Sequence, residues 1–213
     1  IVTYTRNGSS ITVGHGLGVA PKIYIRKRRD TTDPWVAYNT ILDGSIDYLI
    51  LNTTDIAYDS GFSAPTSTIF NDDGSGNMVV YAFSEVAGYS KFGKYEGNQN
   101  ADGPFVHLGF TPAFLLIKNA DNSSNRQWCI IDATRTTINK SASAEVLFAN
   151  DSQSESVANN NYGQFSSKPA VDILSNGFKV REGETSAYTQ LNRSNTHIYL
   201  AFAKSPFKNA RAM

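Results

Sequence analysis

The chain contains one stretch twice, and this repeat limits the folds that it can adopt. The segment Leu17–Asp30 recurs as Leu108–Asp121, at a constant offset of 91 residues. Leu, Gly, Pro, Lys and Asp occupy the same places in both copies, and an apolar run lies between them. Upstream, Tyr4 matches Tyr95 at the same offset. Such self-similarity is the signature of a repeated structural unit, so the sequence predicts an internal duplication.

The residue content favours β-structure over helices. The 213 residues include 16 Gly, 11 Tyr and 12 Phe, and Asn, Ser and Thr are abundant. Short apolar runs recur about every eight to twelve residues between turn residues, and no segment shows a helical period. We therefore predict an all-β protein of two tandem antiparallel β-sandwich units, jelly-roll-like, at residues 1–89 and 90–206, followed by a tail at 207–213.

Turn motifs predict where the strands reverse. Asn7-Gly8 and Asn176-Gly177 each lie between two apolar runs, and an Asn-Gly pair in that setting predicts a β-hairpin. The loop at 71–77 is rich in side-chain oxygens, as a calcium loop would be. It lacks the acid that closes such a loop about five residues past the glycine, so a plain hairpin turn is favoured over a calcium site.

Other features bear on the cores and on the environment. Trp35 and Trp128 occupy matching strand positions and are predicted to be core anchors. Cys129 is the one cysteine, which excludes an internal disulfide, and its apolar neighbours predict a buried thiol. The formal net charge is zero, so no global field attracts nucleic acid or an anionic membrane. No run of about 18 apolar residues predicts a membrane span.

The one basic run, at residues 26–29, differs between the copies. Lys27 and Asp30 recur in the second copy, which predicts a structural role for them at the strand end, as a contact between them or as a turn-capping Asp. The arginines have no counterparts there. Arg26, Arg28 and Arg29 are therefore candidates for contact with a surface anion or a neighbouring subunit.

Aromatic residues that only one copy possesses are the candidates for ligand contact. Aromatic faces can stack on sugar rings, and amide side chains can bond sugar hydroxyls. The candidates are Tyr58, Phe62, Tyr162, Phe165 and Tyr188. We favour the loops at 58–65 and 162–165 as the glycan-facing ones, while packing within a loop is the alternative for each residue.

No motif predicts catalysis. The sequence has no Gly-x-Ser-x-Gly elbow, no Cys/His metal spacing, no phosphate-binding glycine loop and no dinucleotide fingerprint. Acids such as Asp172, Glu182 and Glu184 could serve sugar hydrolysis only as a fixed pair, and no pattern pairs them. We therefore predict a protein without enzymatic activity, cofactor or metal.

Several segments occur in a recognisable combination: 90–98, 102–106, 108–118, 174–179 and 201–207. Together they resemble an uncharacterised repeat module of tail-fibre-like and other virion proteins of tailed bacteriophages, particularly those of marine and cyanobacterial hosts. The resemblance covers nearly the whole chain, as one short and one long copy. It implies a β-rich structural module of a virion appendage, with no catalytic residues to transfer. The chain departs from the usual pattern at Arg6, where a Gly often precedes the Asn-Gly turn.

From the resemblance we expect a segment of a tail fibre or spike on the virion exterior that displays loops toward a bacterial surface glycan. The expected partners are copies of the same chain, with a trimer favoured, and other virion proteins, without nucleic acid or membrane insertion. The alternative is a capsid decoration or head-fibre protein that contacts mainly other virion proteins. Because Ile1 lies within a predicted strand, we expect no signal peptide, and because the chain does not begin with Met, we expect it to be part of a longer protein.

Overall fold

The computed structural model describes residues 1–121, 126–134, 146–152, 171–181 and 191–205, and every regular element in these ranges is a β-strand. The strands are β1 (Val2–Asn7), β2 (Ile11–Gly14), β3 (Ile23–Arg28), β4 (Val36–Asn39), β5 (Asp47–Ile50), β6 (Tyr58–Asp59), β7 (Ile69–Asp72), β8 (Ser75–Phe83), β9 (Ser90–Glu96), β10 (Phe105–His107), β11 (Pro112–Asn119), β12 (Cys129–Asp132), β13 (Leu147–Phe148), β14 (Val171–Leu174), β15 (Gly177–Val180) and β16 (Thr196–Ala203). The prediction of an all-β protein is confirmed. In the same ranges no helix is long and apolar enough to cross a membrane.

The chain divides into two compact units. Unit 1 comprises Ile1–Thr53 and Ala57–Glu85, and unit 2 comprises Thr54–Ile56 and Val86–Met213. The sequence predicted a boundary after residue 89. The division by contacts falls after Glu85 and also assigns the short segment Thr54–Ile56 of the first repeat to unit 2.

Unit 1 contains two antiparallel sheets. The larger has six strands in the order β1-β8-β3-β4-β5-β6, and the smaller is the pair β2-β7. Both sheets contribute to one apolar core, with Tyr24, Tyr38 and Val80 from the larger sheet and Val13 and Phe70 from the smaller. The first and last strands of the unit, β1 and β8, are hydrogen-bonded neighbours.

Unit 2 follows the same chain path. Its larger sheet has the order β13-β12-β11-β16-β9, and its smaller sheet has the order β10-β15-β14. In both large sheets the first strand of the unit pairs with its last strand, and the last strand pairs with the third. The fourth and fifth strands of the unit come next in the sheet. The core of unit 2 is more aliphatic, and Leu115, Ile117 and Val180 are among its fully buried members.

The pairing of the two large sheets matches residue by residue. Ile23 pairs with Phe83 in unit 1, and Phe114 pairs with Phe202 in unit 2. The offsets between these residues are 114 − 23 = 91 and 202 − 83 = 119. Every other pair between β3 and β8 has a counterpart between β11 and β16 at the same two offsets.

The tryptophans share a main-chain contact but differ in burial. The Trp35 N–H donates to Asn52 Oδ1 at 3.0 Å, and the Trp128 N–H donates to Asn150 Oδ1 at 2.8 Å. Trp128 is fully buried, as predicted, and so is the Cys129 thiol. Trp35 is only half-buried, so its prediction as a core anchor is wrong. It directly follows an exposed turn and precedes β4, and its ring contacts Tyr81 of β8 with the centroids 6.3 Å apart.

Of the two Asn-Gly pairs, one forms a hairpin and the other does not. Asn176-Gly177 joins β14 to β15 as predicted, since these strands pair directly. Asn7-Gly8 instead carries the chain from the larger sheet into the smaller, because β1 pairs with β8 and β2 pairs with β7. Gly8 has φ of 90°, so the local turn is real, but the strands that flank it separate into two sheets.

The loop at 71–77 makes the same kind of passage. β7 and β8 belong to different sheets, so the predicted hairpin turn is wrong. The Gly8 N–H donates to the Gly74 carbonyl at 2.8 Å, which joins the two passages where the chain leaves one sheet for the other.

Candidate functional site

A buried ion pair connects the two sheets of unit 1. Asp72 ends β7 with its side chain fully buried, and Arg26 on β3 donates to its carboxylate. The Tyr4 hydroxyl donates to the other carboxylate oxygen, and burial, followed by the bond to Asp72, raises the pKa of Tyr4. The Arg26 guanidinium also lies over the Tyr38 ring, 4.7 Å from its centroid. Arg26 thus has a structural function in the core, whatever else it contacts.

Arg28 and Arg29 differ in their surroundings. The Arg28 Nε donates to Asp30 Oδ1 at 2.6 Å, and its Nη1 lies 3.6 Å from Asp33 Oδ2. The exposed Arg29 guanidinium meets no hydrogen-bond or ion-pair partner among the described residues. Of the three candidate arginines, the structure therefore brings Arg26 and Arg28 together on β3 and leaves Arg29 in solvent.

Asp30 and its counterpart Asp121 each connect the third strand of their unit to its closing strand by a hydrogen bond. Asp30 Oδ2 accepts the Asn77 N–H at 3.1 Å, and Asp121 Oδ2 accepts the Thr196 N–H at 2.8 Å. The bond from Asn77, and then the bond from Arg28, lowers the pKa of Asp30. The Asp is therefore a shared structural device, as the sequence indicated.

The retained Lys does not contact that Asp in either unit. Lys27 Nζ donates to the carbonyls of Thr31 at 3.0 Å and Asp33 at 2.6 Å. Lys118 Nζ donates to the carbonyls of Thr54 at 3.2 Å and Asn119 at 2.6 Å. Lys118 is fully buried, and this burial lowers its pKa to about 8. The predicted Lys–Asp contact is thus wrong, because carbonyl groups near the strand end accept the ammonium protons.

Three arginines line one cleft in unit 1. The cleft has a volume of about 220 Å³ and is lined by Arg6, Arg26, Arg28, Asp33, Pro34, Val36 and Met78. We call it the guanidinium cleft. Arg6 Nη1 donates to the Asp73 carbonyl at 2.6 Å and lies 3.6 Å from Asp72 Oδ1. Its Nη2 donates to the Ser75 carbonyl at 3.0 Å.

Four tyrosines form a row across the larger sheet of unit 1. Tyr24, Tyr38, Tyr48 and Tyr58 are directly paired on the adjacent strands β3 to β6. The ring centroids are 4.9, 5.8 and 5.5 Å apart in that order. Because directly opposed residues share one face of a sheet, the four rings form a continuous surface, which we call the tyrosine ladder.

The ladder runs from the core to the solvent. Tyr24 is 2% exposed and Tyr38 is 5% exposed, whereas Tyr58 at the sheet edge is 43% exposed. Burial raises the pKa of Tyr38 to about 12. Phe62 is half-buried and its ring centroid lies 6.0 Å from that of the buried Tyr38, so it widens the ladder beside Tyr38. The candidates Tyr58 and Phe62 therefore belong to one aromatic cluster, together with Tyr48.

A compact turn holds Phe62 beside the ladder. The Ser60 N–H and hydroxyl both donate to the Ile46 carbonyl, at 2.9 and 2.6 Å. The Gly61 N–H donates to Asp59 Oδ1 at 2.9 Å, and the Phe62 N–H donates to Ser60 Oγ at 3.1 Å. Asp and Ser side chains that bond the backbone two residues on are typical of such turns. Tyr58 itself lies on a short strand and not in the predicted loop.

Three of the candidate aromatic residues cannot be placed, and three residues of the two surfaces were not candidates. The candidates Tyr162, Phe165 and Tyr188 lie outside the described residues. Sequence patterns did not identify Arg6, Tyr38 or Tyr48 as candidate binding residues. Their signal was present as polar or aromatic residues at alternate strand positions, but only the strand pairing shows that they converge.

No cation site is seen at the loop that resembled a calcium loop. Asp72 is engaged by Arg26 and Tyr4, and the Asp73 N–H donates to Asp72 Oδ1 at 2.9 Å. Within the described ranges, no group of three or more His, Cys, Asp or Glu side chains is placed to hold a metal ion.

The fold and the site define an all-β chain of two compact units, whose candidate binding surface is the aromatic edge of one sheet. The chain belongs to the family described as Domain of unknown function (DUF7483), whose model matches residues 1–206. That description states no activity. Comparisons with curated proteins and with solved structures gave no match.

Proposed function

We propose that this chain is a non-enzymatic structural segment of a phage virion appendage, of the tail-fibre or spike type, and that it attaches to glycans of the host surface. The observation that carries the proposal is the exposed end of the tyrosine ladder. Tyr58 on the edge strand and the half-buried Tyr48 beside it present aromatic surface at a sheet edge. The resemblance of the sequence to virion appendage modules supports the setting.

We also infer that the two units are tandem β-sandwiches that arose by duplication. The common strand order and the equal offsets of 91 and 119 residues in the paired strands support this inference. Residues that differ between the units are then the place for a specialised function. The tyrosine ladder is such a difference, because Leu115 and Ile131 occupy the places of Tyr24 and Tyr38.

The ladder suits a sugar ring for physical reasons. A pyranose has an apolar face of C–H groups, which an aromatic ring can cover while the hydroxyls remain in water. Tyr48 and Phe62 are half-buried, so packing fixes them before a ligand arrives and little conformational entropy is lost on binding. The exposed Asp59 carboxylate, next to Tyr58 in the chain, can accept hydrogen bonds from hydroxyl groups.

A single platform of this size is expected to bind weakly. A dissociation constant on the order of 1 mM corresponds to about −4 kcal/mol. A trimer would present three copies, and linked sites can raise the overall affinity by roughly 10²- to 10⁴-fold without any new contact. Such weak single sites suit a fibre that first binds a cell surface reversibly and then attaches firmly through several sites at once.

A binding assay with matched variants tests the proposal. Purified protein would be applied to an array of bacterial envelope polysaccharides, alongside Tyr58→Ala and Tyr89→Ala. The two tyrosines are 43% and 44% exposed, but Tyr89 is not part of the ladder. We expect Tyr58→Ala to weaken binding at least tenfold and Tyr89→Ala to change it less than twofold.

Three outcomes would contradict parts of the proposal. Equal loss of binding in Tyr58→Ala and Tyr89→Ala would show that the tyrosine ladder is not the binding site. Binding to purified capsids with no binding to any polysaccharide would favour a capsid decoration or head-fibre protein. Release of sugar from host envelope would contradict the non-enzymatic part.

A further inference from the structure

The guanidinium cleft contains more hydrogen-bond donors than the protein itself uses. For Arg26, one hydrogen bond is formed within the described residues, the one to Asp72. For Arg28, the acceptors in the same ranges are Asp30 and Asp33, reached by Nε and Nη1. Arg6 Nε is buried and has no hydrogen-bond partner there. Since each guanidinium has five N–H groups, these three side chains have more donors than the acceptors named here engage.

Two glycines, Gly76 in β8 and Gly74 just before it, make room for these side chains. A Cβ at Gly76 would overlap Arg28 Nε and lie 2.7 Å from its Cζ. A Cβ at Gly74 would lie 3.3 Å from Arg6 Nη1. Both glycines have positive φ, 86° at Gly74 and 110° at Gly76, which L side chains rarely adopt. The backbone is therefore shaped around Arg6 and Arg28.

The three arginines of the cleft are matched by three carboxylates, Asp72, Asp30 and Asp33, and only Asp72 is buried. Asp72 carries one buried negative charge and is shared by Arg26 and Arg6. The acidic partners of Arg28 are solvated, with side chains 36% exposed for Asp30 and 48% exposed for Asp33. Ion pairs in solvent contribute only about 0–1 kcal/mol, so a better-placed anion can compete with them.

We propose that the guanidinium cleft binds one small oxyanion group, a sulfate, phosphate or carboxylate, through Arg6, Arg26 and Arg28. Guanidinium groups hold such anions by paired, charge-assisted hydrogen bonds. The volume of about 220 Å³ admits one such group together with some of its water. In a fibre the group could belong to an acidic polymer or be a free ion. This inference goes beyond the proposed function and does not depend on it.

The site is specific to unit 1. At the repeat offset of 91 residues, Ile117 replaces Arg26, Asn119 replaces Arg28 and Gly97 replaces Arg6. One oxyanion per chain is therefore expected.

The test is calorimetric titration of the full chain with sodium sulfate, sodium phosphate and sodium acetate at constant ionic strength set with sodium chloride. We expect saturable binding of at least one of them with a stoichiometry of one, and Arg28→Gln should weaken it at least tenfold. Arg29→Gln is the matched control, since it removes the same charge one residue away, and it should change the affinity less than twofold.

Further measurements keep the test decisive. If Arg28→Gln fails to fold by circular dichroism, Arg28→Lys takes its place, and at least threefold weakening is expected because a lysine loses the planar pair of donors. If the cleft takes the anionic groups of a polymer but not free ions, a sulfated or carboxylated polysaccharide would bind and Arg28→Gln would weaken that binding. The free ions would then show no saturable binding. Equal weakening by Arg28→Gln and Arg29→Gln, or no saturable binding of any ion or acidic polysaccharide, would overturn the proposal.

Discussion

Replacing Asp72 alone should destabilise unit 1 far more than replacing Asp72 together with Arg26. The Asp72 side chain is fully buried and accepts hydrogen bonds from Arg26 and Tyr4. In Asp72→Val the Arg26 guanidinium, only 13% exposed, would lose its carboxylate. Breaking a buried ion pair from one side costs about 3–5 kcal/mol, because an uncompensated charge remains inside.

Unit 2 shows that this position accepts an apolar pair. The strand alignment places Ile117 where Arg26 stands and Val180 where Asp72 stands, and both are fully buried. The double variant Arg26→Ile/Asp72→Val therefore transfers the packing of one unit to the other. We expect it to lie within about 2 kcal/mol of the wild type, since apolar replacement of a buried pair is often close to neutral.

Two lost contacts account for the stability that the double variant is expected to lose. The Tyr4 hydroxyl would have no acceptor, at a cost of about 1–3 kcal/mol for an unsatisfied buried group. The contact of Arg26 over Tyr38 would also be lost, and such contacts contribute about 0.5–2 kcal/mol. Tyr4→Phe added to the double variant should recover the first of these terms.

The assay uses the one tryptophan that each unit contains. With 5-fluorotryptophan, Trp35 and Trp128 give separate fluorine resonances, so urea unfolding of each unit can be followed by itself. The free energies of the wild type, both single variants and the double variant form a cycle. Two single losses of about 3–5 kcal/mol and a double loss of about 2 kcal/mol or less give an expected coupling of at least about 4 kcal/mol. Additive losses, within about 0.5 kcal/mol, would show that Arg26 and Asp72 do not depend on each other and would refute the reasoning.

Three further predictions concern pH and packing. Because burial lowers the pKa of Lys118 from its ordinary 10.5 to about 8, the unfolded chain binds more protons between these values. Unit 2 should therefore gain stability as the pH rises from 8 to 10.5, and Lys118→Met should flatten that rise in urea titrations. Burial raises the pKa of Tyr38 to about 12, so unit 1 should instead lose stability as the pH rises above 10. Gly177→Ala should destabilise unit 2 by about 1–3 kcal/mol, because the added Cβ would overlap the Val106 carbonyl oxygen; an unchanged urea midpoint would contradict this.

Much of the fold followed from alternation and repetition in the sequence. The match of Leu17–Asp30 with Leu108–Asp121 located the third strand of each unit. These features are local, so the sequence shows them directly. The retained Asp30 was also interpreted correctly as structural, because its recurrence in a changed neighbourhood indicated a backbone role.

What the sequence could not supply was the partner of each strand. Asn7-Gly8 looks like a hairpin because the turn chemistry is the same whether the flanking strands pair or separate into two sheets. The tyrosine ladder depends on the register of three successive strand pairs, which no single segment encodes. The position of Asp72 beneath Arg26 likewise results from the contact between two sheets. A site made of long-range pairings becomes visible only in the folded chain.

The antiparallel pairing of each opening strand with its closing strand has a mechanical consequence. Val2 pairs with Val80 near the end of β8, and Ser90 pairs with Phe202 near the end of β16. The chain thus enters and leaves each large sheet at the same end. A pull on the two ends of a unit would load the ladder bonds one after another, as in opening a zipper, because these bonds run perpendicular to the strands. Each unit would therefore unfold at low force and lengthen a chain that is under tension.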